Sequence, residues 1–241
     1  DTTAKREGDY YVVNGTKTLI TNAPIANFAV VLCQSEPGVR YRQVLLIVDK
    51  GCEGFEASKI EGKMGIRASP IGEYSFNNVR VPVKNVVGSD GRGFYHTLEF
   101  LDLGRACVAA QAVGMAQGAF DRALRYAKER SLFNRKIADF QVIQHKLADM
   151  VTQIEAARLL TYKAAWYIDR GRIIPELTSM AKTFATGIAI RVIDEALQIF
   201  GGYGYIAEYD VERYYRDVRI TPIYEGTSEI QKNVVARALL R

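Results

Sequence analysis

The feature that most constrains this chain is a change of hydrophobic period near Gly93. Ahead of it, short apolar and β-branched runs are separated by Gly, Pro, Asn and Ser. Behind it, apolar residues recur every three or four positions through long stretches. A strand sends alternate side chains to opposite faces, whereas a helix aligns every third and fourth, so one kind of element cannot serve both halves. The pattern predicts an α+β chain. An antiparallel β-barrel or sandwich is expected over residues 1–90 and an antiparallel four-helix bundle over 91–241.

Within the first half, Tyr10-Tyr11-Val12-Val13 runs into Asn14-Gly15, a hairpin turn signal, with residues 16–21 as the return strand. Further strands are expected over 27–33, 43–49 and 73–81. In the second half, residues 106–130 and 139–170 read as long helices, the latter closed by Gly171. Pro175 opens a third helix that ends at Gly201-Gly202, and Thr227 caps a fourth. Small residues along 109–118 permit a close helix approach.

Composition excludes several classes. The net charge of +5 is spread along the chain without a Lys/Arg block, so nucleic-acid binding is not expected. Cys33, Cys52 and Cys107 have no paired spacing, and His96 and His145 lie far apart. Neither a disulfide framework nor a metal site is expected. No stretch approaches the roughly 20 apolar residues of a membrane span, and the polar start Asp1-Thr2-Thr3-Ala4-Lys5 is not a signal peptide.

Three segments of the helical half invite a chemical reading. Gln198-Ile199-Phe200-Gly201-Gly202-Tyr203-Gly204-Tyr205 places three glycines in four positions. A helix end explains one or two of them; bare backbone that lets a phosphate approach explains three. It is not the dinucleotide fingerprint, because no strand precedes it. In Pro222-Ile223-Tyr224-Glu225-Gly226-Thr227, Glu225 stands before a helix start, where an acid commonly complements the helix dipole. Pro222 and Tyr224 beside it would equally shield it as a general base. Glu129-Arg130-Ser131-Leu132-Phe133-Asn134-Arg135-Lys136 is a cationic turn, either solvated or holding a phosphate.

Taken in order, these segments resemble the acyl-CoA dehydrogenases. Lys17-Thr18-Leu19-Ile20-Thr21-Asn22 is similar to the family's flavin-facing strand, and Leu101-Asp102-Leu103-Gly104-Arg105 to the start of its first bundle helix. Arg130 to Phe133, with Gln141 and Leu147-Ala148-Asp149-Met150, is similar to its paired-helix signature. The glycine segment and Tyr224-Glu225-Gly226-Thr227 complete the set.

The resemblance implies an FAD-dependent oxidation of an acyl-CoA to a trans-2-enoyl-CoA, with Glu225 as the α-proton base. Some branches place the base just before the arginine of the first bundle helix, and that position here is Gly104. By the same resemblance Leu19, Ile20, Thr21, Thr227 and Glu229 face the flavin. Arg130, Phe133 and Gln141 reach the FAD of a neighbouring subunit, and Gln198, Gly201 and Gly202 lie along its diphosphate. Asp102, Arg105, Tyr224 and Gly226 contact the substrate. A homotetramer, a dimer of dimers, is implied, together with electron-transferring flavoprotein as acceptor and a cytoplasmic or mitochondrial-matrix location. A longer parent is expected, with a helical domain and further strands ahead of Asp1. The family often has Trp where Leu19 stands and Gly where Asn134 stands. An oxidase or monooxygenase on the same scaffold, and a non-catalytic helical-bundle interaction protein, remain as alternatives.

Overall fold

The alternation of the first half resolves into a single hydrogen-bonded sheet. The computed structural model describes residues 2–36, 38–39 and 42–241, and the chain divides into two units, Asp1–Phe100 and Leu101–Arg241. In the first unit the strands are β1 (Thr3–Glu7), β2 (Tyr10–Thr21), β3 (Phe28–Gln34), β4 (Gln43–Asp49), β5 (Phe55–Ile60) and β6 (Ile71–Pro82). Their order is β4-β3-β1-β2-β6-β5. The pairings are antiparallel except where β1 meets β3. Alternate residues make the core: Val44, Leu46 and Val48 of β4 are fully buried beside Val13, Val79 and Tyr11. Each such side chain contributes about 1.5–3 kcal/mol when removed from water. The sheet curls so that β4 also touches β6.

The hairpin expected at Asn14-Gly15 is not there. β2 runs through both residues, and the turn lies at Gly8-Asp9, where Glu7 pairs with Tyr10. Asn14 instead bridges to β6. Its Nδ2 donates to Asn78 Oδ1 at 3.1 Å, and its Oδ1 accepts from Asn78 N at 2.8 Å. Gly15, at φ +125°, takes up the register shift beside it. An Asn-Gly pair supplies a bulge as readily as a turn, because both need an unusual backbone angle. β1 and β5 were not expected from the sequence. β5 mixes charged and small residues, so its alternation is faint.

In the helical half the elements are α1 (Gly93–Glu129), the short strands β7 (Ser131–Leu132) and β8 (Arg135–Lys136), α2 (Gln141–Ile168), α3 (Pro175–Phe200), α4 (Val211–Val218) and α5 (Ser228–Leu239). α1 starts well before residue 106 because its first turns bury an ion pair, Asp102 with Arg105, which interrupts the apolar period. α4 is an addition to the four expected helices. α3 is the axis of the second unit and packs on α2, α4 and α5. It buries Leu177, Ala181, Ala185, Ile188, Val192 and Ala196 along one stripe. From α1, an alanine stripe at 109, 112, 116, 119, 123 and 127 is buried in the same core. Gly171, at φ +69°, ends α2, with Arg172 N donating to Tyr167 O at 3.0 Å. Among the described residues no helix is long and apolar enough to cross a membrane.

Candidate active site

Between α4 and α5 the chain makes a turn that carries two consecutive left-handed residues, Glu225 at φ +53° and Gly226 at φ +87°. Glycine takes this conformation freely; a glutamate held there costs on the order of 1–3 kcal/mol and persists only where its surroundings over-determine it. The surroundings do so. Gln231 of α5 is fully buried, and its Nε2 donates to the carbonyl oxygens of both Glu225, at 3.1 Å, and Gly226, at 3.0 Å. Lys182 of α3, 1% exposed, donates from Nζ to the same Gly226 oxygen. Ser228 N donates to Pro222 O at 3.0 Å, and the Thr227 hydroxyl accepts from Ile230 N as the cap of α5. Glycine suits 226 because its φ of +87° strains any other residue, and a Cβ there would also displace the Gln231 Nε2 that grips the turn.

The turn directs the Glu225 side chain at α1. A Cβ at position 104 would stand 3.0 Å from its Oε2, so the absence of a side chain at Gly104 makes room for the carboxylate. Oε2 is buried and has no hydrogen-bond partner among the described residues. A buried carboxylate oxygen without a donor is costly, and the arrangement suits an oxygen whose partner is a weakly acidic C–H. Beside it Arg105 is buried; its Nη1 donates to Asp102 Oδ1 and to Ser179 Oγ, the latter at 3.3 Å, while its Nε has no partner among the described residues. Burial raises the Asp102 carboxyl above its usual range, although the Arg105 charge pulls it down. Burial and the Arg105 charge push the Lys182 ammonium down to about 8, against the attraction of Glu225. The half-buried Tyr224 donates its hydroxyl to Gln111 Oε1, and burial raises its phenol.

A second hollow, of about 520 Å³, opens at the far end of α3 and is lined by Arg130, Gln198, Gly201, Gly202, Tyr126 and Tyr203 among others. Arg130 leaves α1 just before the β7–β8 hairpin, whose turn residues Phe133 and Asn134 both have positive φ, +51° and +60°. The guanidinium stands 5.5 Å from the Tyr203 ring centroid. The three glycines divide by cause. Gly201, at φ +58°, ends the helix. A Cβ on Gly204 would lie 2.6 Å from Leu197 O. Gly202 has neither constraint, since a Cβ there would meet open space.

Asp102, Arg105, Tyr224, Glu225, Gly226 and Thr227 are thus gathered around one turn, and Arg130, Gln198, Gly201 and Gly202 around one hollow. Phe133, Gln141 and Glu229 are exposed on the same unit. Glu229 is held below the usual carboxylate range by its own backbone N–H and the Thr227 hydroxyl. Leu19, Ile20 and Thr21 belong to the first unit, at a register shift in β2 where Leu19 is 66% exposed at φ +58°. Lys182, Ser179, Gln231 and Gln111 were missed in the sequence. No local signal marked Lys182, which falls among the polar residues Thr178, Ser179 and Thr186 of α3. Among the described residues no cluster of three or more His, Cys, Asp or Glu side chains could hold a metal ion.

Comparison with known proteins adds to this geometry. The family descriptions "Acyl-CoA dehydrogenase, middle domain" and "Acyl-CoA dehydrogenase, C-terminal domain" match residues 1–79 and 91–240. The 3-(aryl)acrylate reductase of Clostridium sporogenes is 47% identical over all of this chain and 64% of its own length. The caffeyl-CoA reductase-Etf complex subunit CarC of Acetobacterium woodii is 45% identical, again over 100% of this chain and 64% of that protein. The butyryl-CoA dehydrogenase structure from Megasphaera elsdenii superposes with a TM-score of 0.98 at 44% identity, covering 100% of this chain and 63% of that one. The chain therefore spans somewhat less than two thirds of these relatives.

Proposed function

The chain belongs to the acyl-CoA dehydrogenase family, and from that premise we propose that its parent protein takes one hydrogen from each of the α and β carbons of an acyl-CoA thioester. The product is a trans-2-enoyl-CoA. FAD, when bound, supplies the acceptor for the β-hydrogen. The second hollow fits the diphosphate of such a cofactor: the Arg130 guanidinium offers charge, and Gly202 leaves bare backbone that no packing in this chain requires. By the same reading Phe133 and Gln141 reach a neighbouring copy's cofactor in a homotetramer, Gln198 and Gly201 line the diphosphate, and Leu19, Ile20, Thr21, Thr227 and Glu229 face the flavin.

Glu225 takes the α-proton on Oε2. Gly226 and Tyr224 lie against the thioester, and the buried Asp102 and Arg105 stand toward its CoA end. The observation that carries the reading is the buried, donor-free Oε2 aimed across Gly104. Its test is Glu225→Gln in the whole parent protein. Turnover is expected to fall about 10²-fold or more, as for the loss of a general base, while acyl-CoA still binds. Normal turnover in the variant would refute it.

One observation favours the opposite direction as a second reading: two relatives are named as reductases, one of them a subunit of an Etf complex. The same residues serve it, with Glu225 giving its proton to the α-carbon, and electron-transferring flavoprotein is the proposed partner either way. Comparing initial rates from a saturated and an α,β-unsaturated thioester distinguishes the two directions.

A further inference from the structure

We infer that Lys182 is a positioning residue for Glu225, its ammonium anchored on the Gly226 carbonyl so that the left-handed turn aims the carboxylate across Gly104. The inference rests on the reading of Glu225 as the base. An ammonium is expensive to bury, yet Lys182 is 1% exposed, on a buried face of α3 that also carries Thr178, Ser179 and Thr186 beside Ala181 and Ala185. Its hydrogen bond goes to a backbone carbonyl, and that carbonyl belongs to the residue after Glu225.

Gln231 grips the same turn from α5, so two helices hold it from two sides. Two anchors are what a strained glutamate needs, since one donor can pivot about its acceptor. The charged groups facing the ammonium are Arg105 from α1 and Glu225 from the turn, while α5 presents the neutral Gln231. Arg105 repels it and Glu225 attracts it, which draws the ammonium toward the carboxylate side. Burial has brought Lys182 within reach of loss of its proton near pH 8. The neutral amine keeps N–H donors but loses the charge that strengthens them, so the turn loosens as pH rises.

The experiment uses the whole parent protein carrying its flavin. Its kcat should fall on the alkaline side with a midpoint near 8. Lys182→Met should lower kcat at neutral pH by about 10²-fold, the scale of a roughly 1 Å misplacement. KM should be little changed, flavin content retained, Tm held or raised, and the alkaline fall abolished. Lys182→Arg, which keeps a cation, should recover part of the rate. Wild-type kcat and an unmoved alkaline limb in Lys182→Met would overturn the inference. Should that variant not fold, the unsubstituted protein still decides: a kcat flat from pH 7 to about 9 overturns it. Glu225→Gln run alongside separates the two claims. Full turnover there sinks the base itself, whereas an inactive Glu225→Gln beside an unaffected Lys182→Met sinks only the role of Lys182.

Discussion

Glu225 extends its carboxylate across to Gly104 of α1, close enough that a methyl group at 104 would stand 3.0 Å from Oε2. Alanine there would improve the helix, by about 1 kcal/mol over glycine, while crowding the acid. Gly104→Ala in the parent protein should therefore hold or raise Tm and at the same time lower kcat about 10-fold or more, as expected for a displaced reacting group. Thermal melts and steady-state rates on the same preparation check this. A kcat that stays at the wild-type level would show that the carboxylate has room to spare.

The glycines at the end of α3 give a matched pair. Gly204→Ala forces a Cβ to 2.6 Å from Leu197 O, and the overpacking should destabilise by about 1–3 kcal/mol in a denaturant melt. Gly202→Ala meets open space within the chain, so the apoprotein should melt as before. Flavin retained through gel filtration should nevertheless fall in Gly202→Ala, as in Arg130→Ala. Full flavin content in both would remove this hollow from the cofactor site.

The sequence disclosed the fold's two halves because their periods differ, and it placed α2, α3 and α5 through Gly171, Pro175 and Thr227, each tied to a local backbone need. It misplaced the first turn because Gly15 gives a bulge the positive φ that a hairpin turn also uses. Glu225 was legible as a motif, but what holds it was not. Lys182 and Gln231 come from two helices far apart in sequence, and a polar residue beside an apolar stripe reads as surface until tertiary packing buries it. Gly104 was noted for what it lacks, and only the structure sets that vacancy against the carboxylate.

Lys182 also links stability to pH. Its folded-state ammonium titrates near 8 against 10.5 for the ordinary group. A lysine with a depressed folded value penalises the fold while charged. Below about pH 8 the penalty is complete, and it is relieved as pH rises toward 10.5. Over that window the unsubstituted protein should gain on the order of 3 kcal/mol relative to Lys182→Met, read as the difference between two sets of denaturant melts. A difference that is flat with pH would place the ammonium in a wetter setting than its burial indicates.

The Asp102–Arg105 pair is buried beneath the same turn. Removing one partner strands the other's charge. Asp102→Ala should therefore cost about 3–5 kcal/mol in a urea titration, with Arg105 keeping its Ser179 contact. A cost under about 1 kcal/mol would match an exposed pair instead.

Lys182 and Gln231 grip the Glu225 turn from α3 and α5, within the helical unit itself. On the proposed reading, the acid is held in place by this chain's own hydrogen bonds without help from a ligand. On that same reading, the walls that receive the rest of a thioester can be recarved without disturbing this bracket and its hydrogen-bond grammar.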